Sequence, residues 1–253
     1  MQNLSSEILP ILQNYRIEGL DTGLGTIHPH YPGYSLVNIP NSICNLLQAA
    51  PFGAPQLNPK LLNALAGPYE NVIYLLADGV RLNFFQSFLE KAPWNELAEE
   101  SIFSPLTSIT PSTTSSALTT LWTGAYPAEH GILGYEVWLR EYGVIANMIL
   151  HSAFTFLGDV GGLQRAGFDP LTFLPVPTLG PHLIENGIQP FALQNISIAY
   201  SGLSKMLFPG VEVVPYRNNG DFFVSLEQLM DSRKGKQTYA YAYWESIDTL
   251  SHR

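Results

Sequence analysis

The sequence is poor in cysteine and in charged side chains. Cys44 is the only cysteine among 253 residues, so no disulfide can form within the chain and nothing marks an oxidising compartment. Charged residues make up 13% of the chain and hydrophobic residues 46%. A chain this apolar can fill a large core, which argues against extended disorder.

Basic residues are scarce as well. The chain has 12 Lys and Arg against 21 Asp and Glu, a formal net charge of −9. Phosphate backbones are bound by clustered Lys and Arg, and the densest basic stretch, residues 233–236, is short. We therefore expect no binding to a nucleic-acid backbone. A small phosphoester substrate is compatible with the negative net charge of the chain, because two bound divalent cations would make the local charge positive.

Long apolar runs and a basic N-terminal segment are also missing. No window approaches the roughly 18 uninterrupted apolar residues of a membrane span. Residues 1–7 show neither the basic n-region nor the apolar h-region of a signal peptide. The sequence therefore predicts a soluble, cytoplasmic protein without a membrane span, and it leaves the oligomeric state open.

Two regions differ in character. Residues 1–60 include a stretch rich in Pro, Gly and Asn, which predicts an irregular N-terminal leader packed on the core, with a short helix near residues 42–49. Residues 61–253 show alternating strand and helix patterns, which predict one α/β domain with a layered sheet.

The expected strands and helices follow from hydrophobic periodicity. Residues 72–77 form a continuous apolar run, typical of a parallel strand buried on both faces. The other expected strands are residues 102–109, 188–193, 196–200 and 238–244, and residues 144–156 are expected to pair as strands. The expected helices are residues 60–68, 81–98, 179–186 (closed by Gly187), 222–231 and a segment that carries residues 117–122.

Polar side chains follow three of the predicted strands. In open α/β sheets, ligands bind outside the carboxyl ends of the strands. Asp78 ends the first strand, where its carboxylate can coordinate a cation, although Asp-Gly is also a common turn pair. Asp248 and His252 follow the last strand, four residues apart, so that both can face one ion on a helical turn. The alternative is an exposed acid and an exposed histidine.

A run of five hydroxyl side chains at residues 112–116 precedes the predicted helix. Ser and Thr are ordinary N-cap residues, which is the structural interpretation. The functional interpretation uses the same place, because a helix N-terminus suits a phosphoryl oxygen and a metal-activated hydroxyl can attack phosphorus. The residues alone do not distinguish which of the five hydroxyls would attack.

Four stretches, in matching order, resemble the nucleotide pyrophosphatase/phosphodiesterase family (type I phosphodiesterases) of the alkaline phosphatase superfamily. They are Asp-Gly at residues 78–79, Pro-Ser-Thr-Thr at 111–114, Thr-Gly-Ala-Tyr-Pro-Ala-Glu-His-Gly-Ile at 123–132 and Tyr-Trp-Glu-Ser-Ile-Asp-Thr-Leu-Ser-His at 243–252. The resemblance runs from about residue 70 to the C-terminus. The third stretch is the most specific, and its register places the family's threonine nucleophile at Thr114.

The resemblance implies a fold, a reaction and a set of roles. The fold would be an alkaline-phosphatase-like three-layer sandwich with a largely parallel central sheet, incomplete at the C-terminus. Asp78 would ligate one zinc ion that also meets Thr114, the nucleophile, while Asp248 and His252 would ligate a second zinc ion. His130 would have a structural role in its turn. The substrate would be a small phosphoester.

The chain departs from the family in two places. Ala117 stands where the family has an asparagine that contacts a substrate oxygen. The family also supplies an Asp-His pair and a further His downstream of the Asp-x-x-x-His segment, whereas this sequence stops at residue 253. We therefore expect a C-terminally truncated fragment that lacks essential metal ligands and is inactive. Two alternatives stay open: a hydrolase of another ester, such as a phosphonate or sulfate, and a non-catalytic binding protein that retains the fold.

Overall fold

The computed structural model describes residues 2–23, 25–89, 91, 96, 101–156 and 158–252. Its strands, in chain order, are β1 (Gln2–Asn3), β2 (Asn71–Ala77), β3 (Ile102–Phe103), β4 (Glu136–Leu139), β5 (Val144–Asn147), β6 (Ser152–Ala153), β7 (Gln189–Asn195), β8 (Glu212–Tyr216) and β9 (Thr238–Trp244).

Helices surround these strands along the described parts of the chain. They are α1 (Ser5–Asn14), α2 (Ile39–Leu46), α3 (Pro59–Ala64), α4 (Leu82–Phe88), α5 (Thr114–Thr123), α6 (Pro127–His130), α7 (Gly162–Arg165), α8 (Leu179–Glu185), α9 (Gly202–Leu207), α10 (Asn219–Ser232) and α11 (Ser246–Ser251), with 3-10 turns at Leu36–Asn38 and Phe154–Phe156. None of these helices has the length and apolar character needed to cross a membrane.

The main sheet has four parallel strands in the order β2-β9-β7-β8. This confirms the predicted α/β class with a parallel sheet. Asn71 pairs with Thr238 and Ala77 pairs with Trp244, so β2 and β9 end at the same edge of the sheet. The residues that follow these two strands are therefore neighbours in space, although they are far apart in sequence.

Strand β9 presents tyrosines to one face of the sheet, and alanines followed by Trp244 to the other. Tyr239 and Tyr241 pack against Trp122 of α5, with the Trp122 and Tyr241 ring centroids 5.3 Å apart. On the opposite face, Ala240 lies in a cluster with Phe222 of α10. Since side chains alternate along a strand, this one sequence pattern seats a helix on each face of the sheet.

Strand β2 forms where residues 72–77 predict it, but its predicted burial on both faces is wrong. Ile73 and Leu75 keep 47% and 44% of their surface exposed. Val72 and Tyr74 point to the other face and pack on the main core. The physical reason is that, among the described residues, only the face of β2 that carries Val72 and Tyr74 packs on a core cluster.

Two smaller sheets complete the architecture. β4, β5 and β6 form an antiparallel sheet, which confirms strand pairing for the first part of residues 144–156; the last three of these residues form a 3-10 turn. β1 pairs in parallel with β3.

Two predicted strands are wrong. Residues 102–109 were expected to form one strand, but only Ile102–Phe103 does so. Pro105 has no backbone N–H, so it cannot continue a sheet ladder. Residues 196–200 form a turn, because the Asn195 side-chain oxygen accepts hydrogen bonds from both the backbone and the hydroxyl of Ser197. Asn commonly diverts a chain from a strand in this way.

The remaining predicted elements are confirmed within a few residues. α2, α3, α8, α10 and β9 occupy the segments expected of them, and Gly187 follows α8 with φ of +79°, as a helix-ending glycine does. The helix predicted for residues 81–98 is confirmed as a continuous helix only in its first part, because α4 ends at Phe88 and neither Leu89 nor Lys91 is helical; residues 90, 92–95 and 97–98 of that prediction lie outside the described residues.

Candidate active site

Asp78 stands at the carboxyl end of β2, on the edge shared with β9. Its backbone N–H donates to the carbonyl oxygen of Trp244 at 3.0 Å, which extends the sheet ladder by one residue. Its Oδ1 accepts from the backbone N–H of Gly79 at 2.9 Å, and its Oδ2 accepts from the hydroxyl of Tyr243 at 2.7 Å. The carboxylate is thus held in one orientation by both neighbouring strands.

Tyr243 keeps its proton in this arrangement. Burial raises the pKa of its hydroxyl far above the usual value, and the negative charge of Asp78 raises that pKa further. A phenol with a raised pKa is a permanent hydrogen-bond donor at neutral pH. Tyr243 therefore positions the Asp78 carboxylate and leaves its remaining lone pairs available.

The five hydroxyls at residues 112–116 have different environments. Thr113 is the N-cap of α5, and its side-chain oxygen accepts from the backbone N–H of Ser116. Ser115 and Ser116 are fully buried, and Ser115 donates to the carbonyl of Gly134. Ser112 and Thr114, by contrast, line an open cleft. The geometry therefore reduces five candidate nucleophiles to two.

The cleft has a volume of about 290 Å³ and brings the first two site segments together. Asp78 and Gly79 line it from the end of β2, while Thr114 and Ala117 line it from α5. Ala117 would therefore contact a ligand in the cleft, but its methyl group cannot form a hydrogen bond with that ligand. Thr114, the first residue of α5, thus lines the same cleft as the end of β2 that carries Asp78.

Asp248, in α11, lies at the same edge of the sheet as Asp78. A β-carbon on Gly79 would lie 2.8 Å from the Cα of Asp248, so the two backbones are in direct contact. At the end of α11, the Nε2 of the C-cap residue His252 lies 3.5 Å from Asp248 Oδ1, as the four-residue spacing predicts. The His252 side chain is 79% exposed, so it sits at the rim of the site.

A third carboxylate, Glu245, was not anticipated. It follows β9 just as Asp78 follows β2, and it accepts hydrogen bonds from Tyr216 and from the side-chain amide of Asn195, the latter at 3.0 Å. The single hydroxyl proton of Tyr216 is shared between Glu245 and the carbonyl oxygen of Tyr243, which lies 2.8 Å from the Tyr216 oxygen. This network fixes the turn between β9 and α11, and so fixes where Asp248 stands.

His130 has the structural role that was expected of it. The ring is fully buried, its Nδ1 accepts from the backbone N–H of Ile132 at 3.1 Å, and its Nε2 lies 3.0 Å from the hydroxyl of Thr120. Since Nδ1 is an acceptor, the neutral ring carries its proton on Nε2 and donates it to Thr120.

A family model for type I phosphodiesterase / nucleotide pyrophosphatase matches residues 72–253. The chain belongs to this family. The match begins at β2 and covers Asp78, the cleft, α5 and the segment that carries Asp248 and His252. The family is one of phosphoester hydrolases, so a small-molecule phosphoester suits the cleft. No curated protein and no solved structure matches the chain.

The donor types at this site suit a divalent cation of the zinc class, which takes carboxylate oxygen and imidazole nitrogen. Their number is small. Among the described residues, no group of three or more His, Cys, Asp or Glu side chains is placed to hold one ion. Catalytic zinc normally has three protein ligands. The donor chemistry of this site therefore fits zinc, while its donor count predicts weak binding.

Two residues of this site escaped the sequence analysis in these roles: Tyr243 and Glu245. Alternation along β9 signals Tyr243, because residues 239, 241 and 243 must share one face. Glu245 carries the same signal as Asp78, a carboxylate directly after a strand. The partners of both residues depend on sheet order, which the sequence does not contain.

Proposed function

We propose that the chain forms a metal-dependent phosphoester hydrolase site in which Thr114 is the nucleophile. One observation carries this proposal: Thr114 and Asp78 line one cleft, and Asp248 contacts that cleft through Gly79. Ser112 lines the cleft as well. Thr114 is preferred because the family register places the nucleophile at this position.

Two zinc ions are the proposed cofactors. Asp78 and the Thr114 hydroxyl would hold one ion, and Asp248 with His252 would hold the other. When bound, the ions lower the pKa of the attacking hydroxyl and neutralise the charge of the leaving oxygen. The negative charges of Asp78, Asp248 and Glu245 favour cations at this edge of the sheet.

The protein's own part in the reaction is positioning and attack. The Oγ1 of Thr114 forms a bond to phosphorus while the bond from phosphorus to the leaving oxygen breaks, and that oxygen departs with the electron pair. The Thr114 proton passes to solvent. Water then attacks phosphorus, the bond from phosphorus to Thr114 Oγ1 breaks, the phosphate product leaves, and the Thr114 oxygen takes up a proton from solvent. The Tyr243 hydrogen bond and the Gly79 N–H keep Asp78 oriented throughout.

The proposed fold around this site is an alkaline-phosphatase-like three-layer sandwich. Helices α5 and α10 on opposite faces of a parallel sheet support it. Within this fold, residues 61–253 would supply the catalytic layers and residues 1–60 would pack on them. Limited proteolysis tests this division, since cleavage near residue 60 should leave the two segments associated, because Ile43, Leu47 and Phe52 belong to the main core cluster.

The test of function follows the first chemical step at saturating zinc. Two donors for each ion hold zinc weakly, so we propose that steady-state turnover is very low. An aryl phosphodiester is mixed with the protein, and release of the phenolate is measured over one turnover. Asp78→Asn and Asp248→Asn should each abolish the release, whereas Asp169→Asn, at an exposed position that does not line the cleft, should not. Equal release by all variants would refute the proposal.

A non-catalytic binding protein is the second candidate. Ala117 in the cleft and the small donor count favour it. A protein of this kind would bind zinc and a phosphate analogue such as vanadate in the same cleft, yet would release no phenolate. Calorimetry with vanadate, run beside the phenolate assay, separates the two candidates.

A further inference from the structure

A pocket adjoins the proposed active-site cleft and is lined in part by the N-terminal segment. Ser108 and Ser112 line both the cleft and this pocket. Val80 lines the cleft, and Leu82, two residues further along the chain, lines the pocket. The pocket has a volume of about 410 Å³, so it is larger than the cleft that it meets.

The lining of this pocket is mainly apolar, and none of the described residues in it is charged. Thr107 is polar, but its hydroxyl is already paired, because it accepts from the backbone N–H of His30 at 2.8 Å and donates to the carbonyl of Tyr34 at 2.9 Å. Ser108 and Ser112 stand where the pocket meets the cleft. Away from that junction the lining includes Leu9, Leu12, Ile27, Pro29, Leu106 and Ile109.

The wall that α1 contributes is held in place by the fold. β1 pairs with β3, and the backbone N–H of Leu4 donates to the carbonyl of Phe103 at 2.9 Å. Leu4, Ile8 and Leu12 are buried in one core cluster. Leu9 does not belong to that cluster, and it lines the pocket as a half-buried residue. Packing within the protein therefore forms this wall, as is usual for sites that bind small molecules.

We propose that this pocket binds an uncharged apolar ester group of the substrate, aromatic or branched aliphatic, while the phosphoryl group occupies the cleft beside Thr114. The inference rests on the function proposed above, because the cleft supplies the phosphoryl site. A charged group in the pocket would lose its hydration without meeting an opposite charge, whereas an apolar group gains by leaving water. The wall formed by residues 9–29 precedes residue 72, where the family match begins, so that match assigns this wall no ligand.

Two phosphonates test the pocket without relying on turnover. Methylphosphonate and 1-naphthylmethylphosphonate carry the same head group on a carbon–phosphorus bond, which is not an ester, and they differ by an aromatic ring system. Isothermal titration calorimetry at saturating zinc measures the affinity of each. We expect the naphthyl compound to bind about 10-fold to 100-fold more tightly to the unsubstituted protein, because its ring system leaves water for the pocket.

Four neutral substitutions locate the site of this gain. Leu9→Gln and Ile27→Asn place a polar amide in the pocket, and each should reduce the affinity ratio of the two phosphonates about 10-fold. Ile11→Gln, on the same helix, and Leu20→Asn are the matched controls, because Ile11 and Leu20 are 44% and 47% exposed and do not line the pocket. The affinity for methylphosphonate should stay the same in all four variants, which also shows that each is folded. Ile27 is 49% exposed, so Ile27→Asn decides the question if Leu9→Gln fails to fold.

Equal affinities for the two phosphonates, or no binding of either, would overturn this inference. So would an affinity ratio that survives unchanged in Ile27→Asn. Phenolate release judges the proposed function separately. A ring-dependent gain without phenolate release would refute hydrolysis and leave the apolar pocket as a binding site, whereas release with equal affinities would support hydrolysis and refute the pocket.

Discussion

Gly79 and Asp248 touch through their backbones. Gly79 has φ of +78°, and a β-carbon there would lie 2.8 Å from both the N and the Cα of Asp248. Asp78 directly precedes Gly79 in the chain. Asp248 can lie beside Asp78 because Gly79 has no side chain to keep the two backbones apart. The approach of the last helix to the end of β2 depends on this one missing side chain.

Gly79→Ala should destabilise the protein by about 1–3 kcal/mol and displace Asp248, because the new methyl group combines backbone strain with a steric clash. Urea denaturation measures the loss. Gly131→Ala is the matched control, since Gly131 has the same φ of +78° but nothing within 4 Å of its added β-carbon. Equal losses for the two variants would show that the contact with Asp248 contributes nothing.

Tyr243→Phe should weaken zinc binding about 10-fold to 100-fold, because it removes the hydrogen bond that orients Asp78. Isothermal titration calorimetry with zinc measures the change. Tyr239→Phe removes a buried hydroxyl from the same face of β9 without touching Asp78 and should leave zinc affinity unchanged. If Tyr243→Phe binds zinc as tightly as the unsubstituted protein does, zinc binding by Asp78 does not depend on this hydrogen bond.

The stability of the protein should fall as the pH is lowered from about 6.5 to about 4, in part because of His130. Burial lowers the pKa of His130 to about 4, whereas an unfolded histidine titrates near 6.5. In this interval the unfolded chain binds more protons than the folded one, so the contribution of His130 is complete above about 6.5 and is lost as the pH falls through the folded pKa.

The pH effect is measured by urea unfolding at several pH values. His130→Gln should flatten the dependence. His252→Gln serves as the control, because its ring is 79% exposed and not enclosed by the core. The same slope in the unsubstituted protein and in His130→Gln would contradict this assignment.

Ala117→Asn should accelerate phenolate release at saturating zinc. Ala117 lines the cleft beside Thr114, so an amide there can donate to a substrate oxygen. Removing one such donor from an enzyme costs about 10²–10³ in kcat, and adding one should recover part of that factor. Ala117→Leu has a similar volume without a donor and should give no gain. If both variants behave alike, a donor at this position does not limit the reaction.

The sequence predicted secondary structure best where the hydrophobic pattern of a segment decides its structure. Residues 238–244 were expected as a strand and form β9, because their apolar run ends sharply at Glu245. Prediction failed where a single residue overrules hydrophobicity. Pro105 interrupts one expected strand, and Asn195 turns the chain at the start of another.

Part of the candidate site could likewise be predicted from the sequence, and part could not. Asp78, Thr114 and Asp248 were selected by their positions after strands and by the family resemblance, and the fold brings their segments to one edge of the sheet. The hydrogen bond from Tyr243 to Asp78 joins residues 165 positions apart, and it follows from the pairing of β2 with β9. No local pattern encodes that pairing, so the sequence alone could not reveal how Asp78 is held.

The most direct measurement identifies the residue that becomes covalently modified. The protein is mixed with an aryl phosphodiester at saturating zinc, quenched in acid and digested, and the peptide that contains residues 112–116 is analysed by mass spectrometry. We predict one phosphoryl adduct on Thr114, absent from Thr114→Ala and retained in Ser112→Ala. An adduct on Ser112, or phenolate release that continues unchanged in Thr114→Ala, would contradict the account.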